Sequence, residues 1–242
     1  MLAVTGGKGG TGKTTTTLGL ARAFGTAGTT AIAVDADWDL PDLGALSGVR
    51  RRVAYPDRRD DDSPLAAAVA DAVAPAMRVL PAPTDSRDRD LRESLRAVAA
   101  SATQGTRVLV DCPAGAAPDA VAPLRVADGA LLVTEPCAVS LRDAAKTAAV
   151  ARRLDTPVVG AVVTRATAVP PGVRDLLGCP IVSRVPPASA PQDRDRDRNR
   201  DRDRNARGSD PVLGDERVVE AYAQGADAVA GTSPGEMNPT RA

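Results

Sequence analysis

The stretch TGGKGGTGKTTTT, residues 5–17, decides the fold of this 242-residue chain. An apolar run that begins at Leu2 leads into it, and a helical pattern follows it. Within it, residues 7–14 satisfy the pattern G-x-x-x-x-G-K-[ST], in which glycines let backbone amides converge on phosphate oxygens at a helix start. The stretch therefore predicts a phosphate-binding loop between a first strand and a first helix.

The side chains of this loop have separate predicted roles. Lys13 is expected to reach the β- and γ-phosphates, Thr14 to ligate Mg²⁺ through its hydroxyl, and Thr15 to contact the α-phosphate. Backbone contacts to the nucleotide are expected from Gly7, Gly9, Gly10, Thr11 and Gly12. The predicted cofactors are therefore ATP and Mg²⁺.

Three acidic residues follow two of the later apolar runs. Asp35 and Asp37 belong to VDADWDLPDLG, residues 34–44, and Asp111 belongs to TRVLVDCPAG, residues 106–115. Asp111 stands where an acid that orients the Mg²⁺ shell is expected. For each of the three, the alternative to a role at the nucleotide is a structural one, in which the carboxylate caps a buried turn. Trp38, next to Asp37, either anchors this loop or presents an exposed contact to a partner.

Short apolar runs alternate with helical patterns along most of the chain. The predicted strands are residues 2–5, 30–35, 77–80, 106–111, 129–134, 157–164 and 181–185. The predicted helices are residues 14–27, 65–73, 88–101, 118–126, 141–154, 171–177 and 215–230. Repeated β-α-β order predicts a three-layer α/β fold, in which a mostly parallel sheet of about seven strands has helices on both faces. Ligands of such sheets bind at the carboxyl ends of the strands.

Composition excludes several classes of function. The net charge is zero, so no global field favours nucleic acid or an anionic membrane as a partner. The chain has no histidine, which excludes Ser-His-Asp and Cys-His catalysis. Its three cysteines form no C-x-x-C pair, which favours a reducing compartment. With neither a signal peptide nor a long apolar run, the predicted location is the cytoplasm.

One segment interrupts the α/β pattern. Asp and Arg alternate in DRDRDRNRDRDRN, residues 193–205, which offers nothing apolar to bury. The predicted organisation is an ATPase domain over residues 1–189, a disordered Asp/Arg loop over 190–210, a last helix of the same domain over 211–231 and a disordered tail over 232–242.

The phosphate loop carries a resemblance to a known family. KGGTGKTT resembles the deviant Walker A motif K-G-G-x-G-K-[ST] of the MinD/ParA ATPases, and VDADWDLPDLG and DCPAG resemble the two switch regions of that family. The likeness reappears at LPAPTDSRDRDL and TEPCAVSLRDAAKTAAVARRL, and covers about residues 1–188 and the last helix. MinD-like members are the more similar branch.

The resemblance implies further roles for particular residues. Lys8 would cross an ATP-sandwich homodimer to the phosphates of the other subunit, so Lys8 and Lys13 would both be catalytic. Asp37 would position or activate the attacking water, and Asp35 would assist near Mg²⁺. Contacts to adenine would come from Thr164, Arg165 and Pro186, with threonine where relatives often have asparagine.

The implied function is an ATP-timed switch that positions cellular machinery: a division site, a surface appendage or a chromosome. A protein partner is expected, and nucleic acid is not favoured. MinD relatives bind membranes through a basic C-terminal helix, whereas residues 216–230 contain one basic residue, Arg217, so no direct membrane anchor is predicted. Recruitment to a pole or membrane would need a partner. The alternatives are a metabolic ligase or synthetase, a metallocluster carrier, and a regulatory module that binds ATP without hydrolysis.

Overall fold

The computed structural model describes residues 1–49, 55, 63–115, 117–189 and 211–231, and one eight-stranded sheet runs through its centre. Its strands are β1 (Leu2–Thr5), β2 (Ala31–Asp35), β3 (Val69–Ala70), β4 (Met77–Leu80), β5 (Arg107–Asp111), β6 (Gly129–Thr134), β7 (Val158–Val163) and β8 (Ile181–Arg184). Their order is β3-β4-β2-β5-β1-β6-β7-β8. All neighbours pair in parallel except β3 and β4.

Helices cover both faces of the sheet. They are α1 (Lys13–Thr26), α2 (Leu43–Ser47), α3 (Leu91–Ser101), α4 (Pro118–Val121), α5 (Ala138–Arg153), α6 (Val173–Leu177) and α7 (Glu216–Ala230). Apolar side chains of α1 and α7 pack with one face, and those of α3, α5 and α6 pack with the other. The predicted three-layer α/β fold is therefore confirmed, with eight strands rather than about seven.

The strands at the centre of the sheet are buried on both faces. All six residues of β6 are buried, as are all five of β2. Alternate residues serve opposite layers, since Val4 packs beneath α1 whereas Ala3 packs in the cluster that includes α3. This double burial explains why the runs lack the apolar-polar alternation of half-exposed strands.

The helix predicted over residues 65–73 is wrong. A single 3-10 turn, Pro64–Ala67, is followed by the edge strand β3, which pairs antiparallel with β4. Asp71 then forms a buried ion pair with Arg22 of α1, with 3.0 Å between Nη2 and Oδ2, and also accepts the backbone amides of Val73 and Ala74. These tertiary contacts hold an alanine-rich segment extended against its helical propensity.

Helix α7 packs directly on α1, the helix that follows the phosphate loop. A side chain at Gly19 would come within 2.3 Å of the Tyr222 ring, so only glycine permits this approach. The Tyr222 hydroxyl lies 3.3 Å from that of Thr16. The last described helix is thereby coupled to the first.

Two predicted regions, the Asp/Arg-rich loop over residues 190–210 and the tail over 232–242, lie outside the described residues. Within the part that is described, the helices are all too short or too polar to cross a bilayer.

Candidate functional site

The phosphate loop joins β1 to α1 at the carboxyl edge of the sheet. Strand β1 lies between β5 and β6, so the ends of these two strands flank the loop. Helix α1 begins at Lys13, immediately after Gly12, whose φ of 91° lies in the left-handed region. The free amides of the first turn therefore start at the predicted phosphate site.

The glycines of the loop are required for different structural reasons. Gly10 and Gly12 have φ values of 79° and 91°, where a side chain would be strained. A Cβ at Gly7 would lie 2.5 Å from the backbone oxygen of Asp143 in α5, so this glycine permits close packing. Around Gly9 the space is open. Backbone conformation and packing each account for part of the motif.

The two lysines of the loop have opposite environments. Lys13 is buried, with 8% of its surface exposed, and its Nζ lies 3.5 Å from the carbonyl oxygen of Lys8. The Lys8 side chain is exposed at the surface of the loop. Thr11 donates a hydrogen bond of 3.3 Å to the same Lys8 carbonyl, which anchors the backbone beneath the exposed side chain.

A cleft of about 770 Å³ opens above the loop and gathers many of the predicted residues. Its lining includes Gly9, Gly10, Gly12, Lys13, Thr14, Thr15, Asp37 and Arg165. It also includes residues without a predicted role, namely Leu40, Asp42, Ala45, Leu46 and Ala114. Most of the latter belong to α2 or its approach, a helix that the apolar pattern did not predict.

Asp35 and Asp111 lie side by side at the floor of this region. They are register partners at the ends of β2 and β5, and each is 1% exposed. Burial, reinforced by the charge of Asp111, raises the pKa of Asp35 to about 8. Burial also raises the pKa of Asp111 to about 7, although hydrogen bonding from Thr14 and the charge of Lys13 oppose the shift. The charge of Asp111 thus disfavours ionisation of Asp35, whereas the charge of Lys13 favours ionisation of Asp111.

Asp35 organises the loop that follows β2. Its Oδ1 accepts the backbone amide of Asp37 at 3.1 Å, and its Oδ2 accepts that of Leu43 at 3.2 Å. The Trp38 indole donates to the Asp35 carbonyl oxygen at 3.0 Å and meets the Tyr55 ring edge-on. Trp38 therefore anchors this loop, and Asp35 caps a turn. A Mg²⁺-linked role for Asp35 stays a prediction.

Asp37 is placed inside the cleft by this loop. Its Oδ1 accepts the backbone amide of Leu40 at 3.3 Å, which leaves Oδ2 for other contacts. Partial burial raises its pKa, whereas the Leu40 amide and the charge of Lys13 lower it. The geometry can present a carboxylate to a molecule bound over the phosphate loop.

The buried carboxyls predict an unusual pH dependence of stability. Because folding raises the pKa of Asp35 and Asp111, their contribution to stability is complete below about pH 4 and is lost as pH rises through 7 to 8. Without nucleotide or Mg²⁺, the free energy of unfolding should fall between pH 5 and pH 8, by up to about 1.4 kcal/mol per pH unit for each group. Urea denaturation at several pH values measures this slope. Asp35→Asn should flatten it, and an unchanged slope would contradict the assignment.

The side chains near the loop fit a magnesium ion. Thr14 lies in the first turn of α1 and hydrogen-bonds to Asp111, and hydroxyl and carboxylate oxygens are the hard ligands that Mg²⁺ prefers. Among the described residues no cluster of three or more His, Cys, Asp or Glu side chains could hold a metal. Mg²⁺ commonly uses one or two protein ligands together with phosphates and water, so the pair suits a metal that arrives with nucleotide.

The two residues that follow β7 contact the phosphate loop, and one of them, Arg165, also lines the cleft. The Thr164 hydroxyl is buried and donates to the Thr11 carbonyl at 2.7 Å. Arg165 Nη1 donates to the Gly10 carbonyl at 2.8 Å and also pairs with Glu135, a residue without a predicted role. Pro186 follows β8 and is half-buried. Contacts of Thr164, Arg165 and Pro186 with adenine stay predictions.

Comparison with known protein families identifies the domain. Residues 2–189 match the family described as the CobQ/CobB/MinD/ParA nucleotide binding domain. Across 173 residues the chain is 32% identical to the septum site-determining protein MinD of Synechocystis and 31% identical to an uncharacterised ATP-binding protein of Methanocaldococcus jannaschii. These alignments cover 68% of this chain and 64% and 63% of the two relatives. The chain thus spans slightly less than two thirds of their length.

Solved structures show the same fold. The cell division ATPase MinD of Pyrococcus furiosus superposes with a TM-score of 0.78 at 26% identity, over 96% of this chain and 98% of that one. A chain of the MinC:MinD cell division protein complex from Aquifex aeolicus superposes with a TM-score of 0.74 at 25% identity, over 96% of both chains.

Proposed function

This chain belongs to the CobQ/CobB/MinD/ParA family of nucleotide-binding P-loop domains, and on that premise we propose that it is an ATP-dependent molecular switch. It binds Mg-ATP, dimerises around the nucleotide and hydrolyses ATP slowly. Closing and opening of the dimer would time the assembly of a partner complex, and this cycle would position cellular machinery.

The described side chains support a division of labour in the cleft. Lys13 would neutralise the β- and γ-phosphates, and Thr14 and Asp111 would hold the magnesium ion. When bound, Mg²⁺ supplies charge stabilisation to the phosphates. Asp37, inside the cleft, orients the attacking water and can accept its proton. Preorganised charge from Lys8 and Lys13 would lower the barrier further.

The observation that carries the proposal is the opposite exposure of the two lysines. One short turn buries Lys13 within the cleft and leaves Lys8 in solvent, although both ammonium groups belong to a phosphate-binding motif. A compact ammonium on a flexible stem can enter a crowded phosphate cluster more readily than a planar guanidinium. Lys8 is thus free to serve the nucleotide of a second copy.

Light scattering after size exclusion tests this use of Lys8. In an Asp37→Ala background, which blocks turnover, the protein should be a monomer with ADP and a dimer with ATP. Adding Lys8→Ala should remove the ATP dimer while ATP binding persists, because Lys13 still holds the nucleotide of its own subunit.

Lys146 provides the matched control. It is a lysine on α5 that is 71% exposed and pairs with Asp143, so Lys146→Ala should leave the ATP dimer intact. A monomer in every nucleotide state would contradict the switch and favour a metabolic enzyme. A dimer that survives Lys8→Ala would contradict the assigned role of this lysine.

A protein partner is part of the proposal. The related MinD of Aquifex aeolicus was solved in complex with MinC, and we place a partner of this chain on the ATP-bound dimer. Helix α7 contains one basic residue, Arg217, which pairs with Asp215, so its exposed face lacks the basic stripe of a membrane anchor. Recruitment from the cytoplasm would then depend on the partner. Imaging of a tagged protein tests positioning, and uniform fluorescence throughout the cell would contradict it.

A further inference from the structure

Two carbonyl groups of the phosphate loop are held from outside the loop. Arg165 Nη1 donates to the Gly10 oxygen at 2.8 Å, and the Thr164 hydroxyl donates to the Thr11 oxygen at 2.7 Å. These oxygens belong to the Gly10–Thr11 and Thr11–Gly12 peptide groups, which include the amides of Thr11 and Gly12. In a planar trans peptide the N–H points opposite to the C=O. Holding the two oxygens therefore sets the direction of the two N–H groups.

Glu135 provides the second layer of this arrangement. Its carboxylate pairs with the same Nη1 of Arg165 that contacts Gly10. Its backbone amide donates to the Ser140 hydroxyl at 3.0 Å, and that hydroxyl lies 2.9 Å from the hydroxyl of Thr134. Glu135 is thereby fixed between β6 and α5, and it can hold the guanidinium in place.

Stability does not account for the ion pair. The side chains of Arg165 and Glu135 are 59% and 24% exposed, and exposed pairs contribute about 0–1 kcal/mol to folding. Arg165 also has a φ of 50°, in the left-handed region, where any residue with a Cβ is strained by about 1–2 kcal/mol. Glycine would fit this backbone better. What arginine adds is the contact with the loop.

We propose that Glu135, Thr164 and Arg165 form a bracket that positions the phosphate loop, so that they act on the triphosphate rather than on the base. The inference rests on the proposed nucleotide function. The bracket residues are positioning residues, since they act through the Gly10 and Thr11 peptides. The Thr164 hydroxyl is committed to carbonyl oxygens of Thr11 and Thr134, which leaves it without a proton to offer to adenine.

Calorimetry with ATP and with inorganic tripolyphosphate, both with Mg²⁺, separates loop positioning from base recognition. Arg165→Ala and the isosteric Thr164→Val should each weaken both ligands by the same factor, about tenfold. A loss confined to ATP, with tripolyphosphate unchanged, would overturn the bracket and favour contact with adenine.

Glu135→Ala separates positioning from simple charge attraction. This substitution removes a negative charge near an anion site, so attraction alone predicts tighter binding of tripolyphosphate. The bracket predicts the opposite, a loss of about threefold to tenfold, because Arg165 is released from its position. The double variant Glu135→Ala/Arg165→Ala should bind no more weakly than Arg165→Ala alone. Tighter binding in Glu135→Ala would overturn the proposal.

A second ion pair supplies the control for these variants. Arg217 is 58% exposed and pairs with Asp215 outside the cleft lining, so Arg217→Ala should leave both affinities unchanged. Thermal melting checks that each variant is folded. An unsubstituted protein that binds neither ligand would overturn the nucleotide function itself and the bracket with it. Normal binding that no bracket substitution alters would overturn the bracket alone.

Discussion

Replacing Asp37 with alanine is expected to slow ATP turnover by about a hundredfold or more, with little change in ATP affinity. Asp37 lies in the lining of the cleft, and one of its oxygens is occupied by the Leu40 amide. The other oxygen remains for a water molecule near the γ-phosphate. Since the role proposed for this carboxylate is contact with water rather than phosphate, its loss should affect the chemical step and leave nucleotide binding intact.

Phosphate release under single-turnover conditions measures this effect, with calorimetry as the measurement of affinity. Asp39→Ala is the matched control, because Asp39 is an exposed carboxylate of the same loop and does not line the cleft. It should turn over ATP at the unsubstituted rate. Equal rates for Asp37→Ala and the unsubstituted protein would show that another group handles the water. If the unsubstituted protein and Asp37→Ala both bind ATP and neither hydrolyses it, the chain is a regulatory module.

Replacing Lys13 with alanine should weaken ATP binding by about a hundredfold or more, because a buried charge-assisted contact with phosphate is lost. Lys13 is also the cation that partly compensates the carboxyls of Asp111 and Asp37. Its removal leaves net negative charge where the triphosphate must bind. Both effects oppose binding, so the loss should exceed that of any bracket variant.

Lys13→Arg tests whether charge alone is enough. Lys13 is only 8% exposed, and a planar guanidinium needs more room than an ammonium. Lys13→Arg should therefore recover little of the lost affinity. Lys146→Ala, which removes an exposed lysine from α5, should bind ATP normally. Near-normal binding by Lys13→Ala would contradict the assignment of the cleft.

Strand positions were the most predictable part of the fold. The predicted and observed limits agree for β1, β4 and β6, because each is an apolar run bounded by turn or polar residues. Two features were not predictable in this way. The segment around β3 has a helical composition but is held extended by the Arg22–Asp71 ion pair. Helix α2 has only five residues, too few to show a helical period.

The residues of the candidate site likewise include some that local sequence predicts and some that it does not. Gly12, Lys13 and Thr14 were identifiable because consecutive residues build the loop and the helix start. Glu135 was not identified, although its place directly after the predicted strand 129–134 puts it at the edge of the sheet where ligands bind. Its role depends on Arg165, and no pattern within either segment indicates that the two meet.

The order of residues alone determined the three-layer fold, the phosphate loop and the two lysines, because strand burial and loop geometry are properties of neighbouring residues. Only the tertiary structure decided that Asp35 and Asp111 would share a buried edge, that Lys8 would be exposed while Lys13 is buried, and that the residues after β7 would contact the loop. The contacts of Thr164 and Arg165 with the loop span 153 and 155 residues. Such contacts arise when parallel strands bring their carboxyl ends together. The sequence pattern within one segment does not predict them.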